Sequence, residues 1–248
     1  MMPSKKKIVA TIEARMTSSR LPGKVLKQAA GKPMLELMIE RLKRVPSLDQ
    51  LVVATTVNAT DDPVVELADR IGVGSFRGSE DDVLKRVLNA ARVHDADIIV
   101  ELTGDCPLID PALVEICVQG YLDGDIDYVS NVLERTYPVG MDVQVFATDI
   151  LADVASRTDD PADHEHVSLY IYRHPELYRL KNFPGPAALT NPGLGLTLDT
   201  AQDFKLIAQI FDALYVANPA FDLADILNLL EQRPHMLDIN NDIRRKHV

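Results

Sequence analysis

The chain is poor in cysteine, has no tryptophan, and carries few aromatic residues and no surplus of positive charge. Two cysteines, Cys106 and Cys117, are too few for a disulfide scaffold or a cysteine-rich zinc site. Free cysteine is most often a small buried residue, and that is the expectation for Cys106. A net charge of −11 argues against a nucleic-acid partner, because such proteins carry a basic face. No apolar run approaches the roughly 18 residues that span a bilayer, so no membrane partner is expected. The start of the chain is basic and then apolar, but lacks a small-residue cleavage site, and the expected setting is cytoplasmic.

The hydrophobic pattern gives a fold class. Residues 7–13, 51–56, 75–77 and 97–103 read as short buried strands. Between and after them, residues 33–45, 64–71, about 82–93 and 111–121 have helical periodicity. This βαβαβαβα order predicts a three-layer α/β/α fold with a mostly parallel, Rossmann-like sheet. The second half is less regular. Strands are expected at 143–146, 177–183 and 195–198, and helices at 149–156, 165–173, 201–215 and 223–231. The whole chain, 1–248, reads as one domain with an acceptor or dimerisation lobe within 130–190. Asp61 and Asp62 before Pro63, Ser79 with Asp82, and Asp110 before Pro111 all look like helix starts. The closing Arg244-Arg245-Lys246 run reads as a solvated tail.

In so acidic a chain, a concentrated basic segment is informative. Residues 14–24 (Ala-Arg-Met-Thr-Ser-Ser-Arg-Leu-Pro-Gly-Lys) follow the first strand directly. In a doubly wound sheet ligands bind beyond the carboxyl ends of the strands, where this loop must emerge. Arg15 and Arg20 can grip phosphate oxygens bidentately, Lys24 adds a point charge, and the backbone near Gly23 offers N–H donors. The Walker A spacing is absent, so this is a different phosphate loop. Asp105, in Thr103-Gly104-Asp105-Cys106-Pro107, stands at the end of the strand 97–103. Asp199 stands at another strand end, where it could equally cap the following helix. Magnesium takes one or two carboxylates together with phosphate and water oxygens, which suits an Asp105–Asp199 pair facing a triphosphate.

These residues carry a family resemblance. Arg15-x-x-x-x-Arg20-Leu21-Pro22-Gly23-Lys24, Gly31-Lys32-Pro33-Met34, Gly104-Asp105-x-Pro107-Leu108 and Asp199-Thr200-x-x-Asp203 resemble the cytidylyltransferases that activate sugar acids, the CMP-Kdo and CMP-acylneuraminate synthetases. Residues 76–84, 103–110, 127–131, 137–143 and 165–167 are similar to the spore coat polysaccharide biosynthesis protein F branch. The resemblance spans about 7–215. It implies a nucleotide-diphosphosugar-transferase fold, CTP as donor, an acidic sugar-like acceptor, magnesium as cofactor and a homodimer. It implies catalytic roles for Arg15, Lys24 and Asp105, with magnesium on Asp105 and Asp199. The nucleotide would meet Ala14, Arg15, Ser18, Arg20, Gly23 and Lys24, and on its base side Arg77, Gly78, Ser79 and Asp82. Tyr137, Asp142, Gln144, Glu165 and His166 would face the acceptor. One departure stands out: Glu13 occupies a position where this branch usually has Gln. Either Glu13 points away from the nucleotide, or nucleotide choice differs.

Other readings are weaker. His164 and His166 would lie roughly 200° apart on a helix, so they cannot share one metal ion. Tyr170, Tyr172 and Tyr178 read as packing aromatics. The alternative activity is a glycosyltransferase that uses a preformed nucleotide sugar. The density of cations in residues 14–24 favours a triphosphate instead.

Overall fold

The computed structural model describes residues 5–243; the expected basic tail at 244–246 lies outside the described residues. In chain order the elements are β1 (Ile8–Glu13), a small hairpin of β2 (Gln28–Ala29) and β3 (Lys32–Pro33), α1 (Met34–Leu42), β4 (Gln50–Thr56), α2 (Asp62–Arg70), β5 (Gly74–Gly78), α3 (Val83–Val93), β6 (Ile98–Thr103) and α4 (Pro111–Leu122). There follow β7 (Tyr128–Ser130), β8 (Gln144–Ala147), α5 (Thr148–Arg157), α6 (Pro161–Glu165), α7 (Leu169–Arg173), β9 (Leu180–Asn182), α8 (Ala201–Leu214) and α9 (Leu223–Gln232).

Seven strands form one sheet in the order β5-β4-β1-β6-β8-β7-β9. β5, β4, β1 and β6 run parallel, as the alternating pattern predicts; β8 is antiparallel to β6 and β7, and β9 is parallel to β7. Side chains alternate across each strand. Ile8, Ala10 and Ile12 of β1 and Ile98, Val100 and Leu102 of β6 face the core built with α1, α2, α4, α8 and α9. Val9 and Ile99 face a second core built with α3, α5 and α7. Among the described residues, no helix is long and apolar enough to cross a membrane.

Three expectations change. The helix expected at 165–173 is two short helices. Asp160 caps and Pro161 opens the first, and the chain leaves the helix at His166 (φ −112°, ψ 69°), carrying Val167 into the core. The strand expected at 195–198 is a single bridge between Val139 and Gly195. Its partner segment turns away at Gly140, whose φ of 101° favours glycine and whose Cβ, if added, would sit 2.7 Å from the Leu196 carbonyl carbon. β7, read only as a motif, is a strand buried between β8 and β9.

Asp110 does cap α4. Its carboxylate accepts the Ala112 N–H at 2.8 Å and also the Leu223 N–H, the first of α9, at 2.8 Å. One side chain therefore satisfies orphan donors of two helices and ties α9 to the sheet. Asp110→Ala should cost about 2 kcal/mol, seen as a lower denaturant midpoint, and Asp110→Asn, which keeps only one acceptor oxygen for the two N–H groups, should recover only part of that loss. An unchanged midpoint for the alanine variant would refute the double cap.

Candidate active site

β1, β4 and β6 deliver their carboxyl ends to one edge of the sheet, and residues 14–24 arch over it. The arch is pinned by backbone and side chain. The Ala14 N–H donates to Ala54 O at 3.3 Å, and the Gly23 N–H to Met16 O at 2.9 Å. Gly23 adopts φ 67°, which closes the turn and starts the short 3-10 helix Lys24–Leu26. The Ser18 hydroxyl accepts the Leu21 N–H at 3.4 Å. The strongest anchor is one the sequence reading assigned elsewhere. Asp61, expected as a helix cap, makes no side-chain cap bond. Its fully buried carboxylate instead accepts the Met16 N–H at 2.8 Å, the Thr55 and Thr56 hydroxyls at 2.9 and 2.6 Å, and the Thr56 N–H. Burial alone would raise its pKa, yet these hydrogen bonds hold it below the usual carboxylate range.

The arch places Lys24 at the meeting point of the two aspartates. Its ammonium lies 2.9 Å from Asp105 Oδ2 and 3.0 Å from Asp199 Oδ1; Arg20 adds a second contact to Asp199 at 2.8 Å. The Leu198 N–H donates to Asp105 O at 2.7 Å, and the Gly104 N–H to Glu13 O at 2.8 Å, so backbone bonds fix the carboxylates relative to β1. Asp199 is not the cap of α8. Thr200 is, in a capping box with Asp203, and the Asp199 carboxylate is left to face Lys24. Burial works against the charge of Lys24, but the two aspartates outweigh it and raise its pKa. Asp105 is likewise held low despite burial, with Lys24 the leading cause. Burial, then Asp105 and Asp142, push the Cys106 thiol well up, so it stays protonated and is no nucleophile.

Could this pair hold a metal? Two carboxylate oxygens already converge on one cation, and the donor set is the hard oxygen type that magnesium takes. Among the described residues no group of three or more His, Cys, Asp and Glu is arranged for a metal ion. Any ion here would draw its remaining oxygens from substrate and water.

The base-side residues are tied into the scaffold. Arg77 donates from Nε to Thr56 O at 2.9 Å and from its two terminal nitrogens to Asp62 at 2.6 Å and Asn58 O at 2.7 Å. Ser79 accepts the Asp82 N–H at 3.1 Å, and Asp82 is the sole member of the expected capping box that caps α3, accepting the Lys85 N–H at 3.0 Å. Gly78 sits against Arg86. Asp82 also meets His164 Nδ1 at 2.8 Å, while His164 Nε2 meets Thr158 O at 3.0 Å, which uses both ring nitrogens for scaffold contacts. Glu80, next to Ser79, reaches back to the arch: it accepts from Arg15 at 3.3 Å and from the Thr17 hydroxyl. On the other side of Asp105, Asp142 forms a bidentate pair with Arg135 at 2.7 and 2.9 Å. Gln144 opens β8, paired in register with Glu101. Tyr137 is buried with its ring against Gly185, Glu165 is exposed, and His166 ends α6. Tyr170 and Tyr178 pack edge to face at 6.4 Å, as expected for packing aromatics.

Below the cleft floor lies an unusual set of charges. Glu13 of β1 and Glu101 of β6 are on the same face of the sheet, two register positions apart. One oxygen of each, Glu13 Oε1 and Glu101 Oε2, is enclosed without a hydrogen-bond partner, as are Thr11 Oγ1 and Arg86 Nε. Burial, then the neighbouring Glu101, push the Glu13 carboxyl well above its usual range, with Arg86 opposing. Glu101 is pushed up to about 7 by burial. The folded chain therefore keeps a proton that the unfolded chain releases near 4.5; the stability this lends is complete below that pH and is lost as pH rises through about 7. Glu101→Gln should flatten the fall in melting temperature between these two pH values. A variant whose profile runs parallel to that of the parent chain would exclude the buried proton.

Comparison with known proteins agrees with this geometry. The family profile described as Cytidylyltransferase matches residues 9–237. The spore coat polysaccharide biosynthesis protein SpsF of Bacillus subtilis is 33% identical over 92% of this chain and 95% of its own. The 3-deoxy-manno-octulosonate cytidylyltransferase of Geobacter metallireducens is 27% identical over 91% of this chain and 98% of its own. Among solved structures, a cytidylyltransferase from Leptospira borgpetersenii superposes with a TM-score of 0.89 at 31% identity, covering 98% of this chain and all of the other (100%). A CMP:2-keto-3-deoxy-manno-octonic acid synthetase complexed with CTP shares the fold, with a TM-score of 0.66 at 21% identity over 84% of this chain and 99% of the other. With a basic arch over the sheet edge, two converging aspartates and a profile match over residues 9–237, the chain belongs to the cytidylyltransferase family.

Proposed function

We propose that this chain transfers CMP from CTP to an acidic, sugar-like acceptor and releases pyrophosphate, in the synthesis of a surface polysaccharide or glycan precursor. The observation that carries this reading is the convergence of Asp105 and Asp199 on Lys24, at 2.9 and 3.0 Å, beneath a cationic arch. Family membership supports CTP as donor, and we further propose that the enzyme works in the cytoplasm as a homodimer.

Asp105 and Asp199 would hold magnesium, which when bound would neutralise charge on the α-phosphate and on the departing pyrophosphate. The chain's own groups do the rest. Arg15 is half-exposed, its Glu80 contact is a loose 3.3 Å, and Arg20 is more exposed still, so both can turn toward phosphate oxygens. Lys24, on a flexible stem, can reach the same oxygens from beside Arg20. An acceptor oxygen attacks the α-phosphorus in line with the leaving pyrophosphate and gives up its proton. The arch and the aspartates supply position and charge, the two terms that dominate phosphoryl-group chemistry. Arg135, Asp142 and Gln144 lie on the side of Asp105 away from the base-side segment, which leaves that wall for the acceptor.

The test is pyrophosphate release from CTP with a panel of 2-keto sugar acids, including 3-deoxy-manno-octulosonate. Asp105→Asn should lower turnover by about 10²–10³-fold, as for loss of a principal charge-stabilising group. Lys24→Ala should weaken CTP binding. Turnover that survives Asp105→Asn, or products formed only from preformed nucleotide sugars, would sink the proposal.

A further inference from the structure

Lys24 already sits where a cation between the two aspartates would have to sit. Its side chain is mostly enclosed, at 12% exposure, and its ammonium is shared by Asp105 and Asp199. Arg20 takes a further share of Asp199. Two carboxylates thus meet two cations, and the cluster is neutral. The spacing of the carboxylates does not depend on Lys24, because the Leu198 N–H to Asp105 O bond sets it through the backbone. The Lys24 backbone is likewise fixed, with its N–H on Leu21 O at 3.2 Å, so only its flexible side chain needs to move.

We propose that Lys24 is a resident counterion that closes the Asp105–Asp199 cation site until a triphosphate draws it away, so that metal and nucleotide enter as one unit. This rests on the metal–triphosphate reading above. A divalent cation arriving alone meets aspartates that are already neutralised and must displace Lys24 and Arg20 into a vicinity that is then too positive. A triphosphate arriving alone finds Lys24 and Arg20 paired, and taking them would strand two carboxylates beside a polyanion. When both arrive, each charge exchanges one partner for another. The phosphates take Lys24 and Arg20, the aspartates take the metal, and no enclosed charge is left alone. Linkage then requires the effect to be mutual: by whatever factor CTP tightens metal binding, the metal tightens CTP binding. A lysine suits this exchange better than an arginine would, because a compact point charge makes no planar bidentate grip on either partner.

The experiment is Mn2+ binding by equilibrium dialysis on the full chain without acceptor, with and without CTP. The parent chain should retain Mn2+ at least about tenfold more tightly with CTP than without it. Lys24→Met should bind Mn2+ without CTP about tenfold more tightly than the parent, and should lose that gain when Asp105→Asn is added. Arg20→Gln, at a half-exposed position that folding tolerates, should shift Mn2+ binding the same way by less, which keeps the test open if Lys24→Met folds poorly. Mn2+ should also raise the melting temperature of Lys24→Met without nucleotide, and leave that of the parent unmoved. CTP-dependent Mn2+ binding that both variants leave unchanged would overturn the counterion role while the metal site stands. Mn2+ held by no variant, even with CTP, would overturn the metal site as well.

Discussion

A single backbone hydrogen bond, from the Leu198 N–H to Asp105 O, makes the site possible. It joins the turn after β6 to the segment before α8, two stretches far apart in the chain. It holds Asp105, just past β6, beside the segment that carries Asp199, and Lys24 then bridges the two carboxylates. The bond is supported on both sides. The Val139–Gly195 bridge holds the incoming segment, and Thr200 caps α8, so that helix does not need the Asp199 carboxylate. The second aspartate is thereby released for chemistry by a neighbour that does its structural work.

The cationic arch obeys the same economy of roles. Loops of this size are mobile unless their backbone groups find partners. Here the Met16 N–H is received by Asp61, a carboxylate enclosed by β4, and Gly23 closes the far end. The cations are left on a fixed frame with their own side chains free to move. Glu80 then links that frame to the loop between β5 and α3, so the two segments are tied to each other as well as to the sheet.

Much of this was legible in the sequence, for reasons that can be stated. The parallel core was readable because β1, β4 and β6 are continuous apolar runs, and α2 and α4 start at Asp-Pro pairs. Lys24, Asp105 and Asp199 stand out in the sequence because Lys24 closes the basic segment after β1, Asp105 follows β6, and Asp199 follows a segment read as a strand. Asp61 was not, since an aspartate before proline carries a local signal for a cap, and its bond to Met16 is a tertiary fact. Arg77 and Asp82, expected to serve a ligand, also bond to the scaffold, to Thr56, Asn58, Asp62, Lys85 and His164. A motif names residue types, and does not say which of them are spent on the scaffold. The second half was least legible. Its helices α6 and α7 are single turns, and the 195–198 segment meets its partner only once, so neither carries a periodic signal.

Glu13 shows how far such a contradiction can be resolved by packing. An ionised carboxylate at the root of this arch would oppose the polyanion role proposed for it. Its inner oxygen lies on the covered face of the sheet, beside Glu101 and within the field of Arg86. Burial and the second carboxylate both favour the protonated form. A protonated glutamic acid offers one donor and one acceptor and no charge, which are the properties of the glutamine that the related branch usually carries there. Burial and the second carboxylate thus move Glu13 toward the uncharged character of glutamine. The enclosure that favours protonation of this acidic pair is the same one that leaves Glu13 Oε1 and Glu101 Oε2 without hydrogen-bond partners.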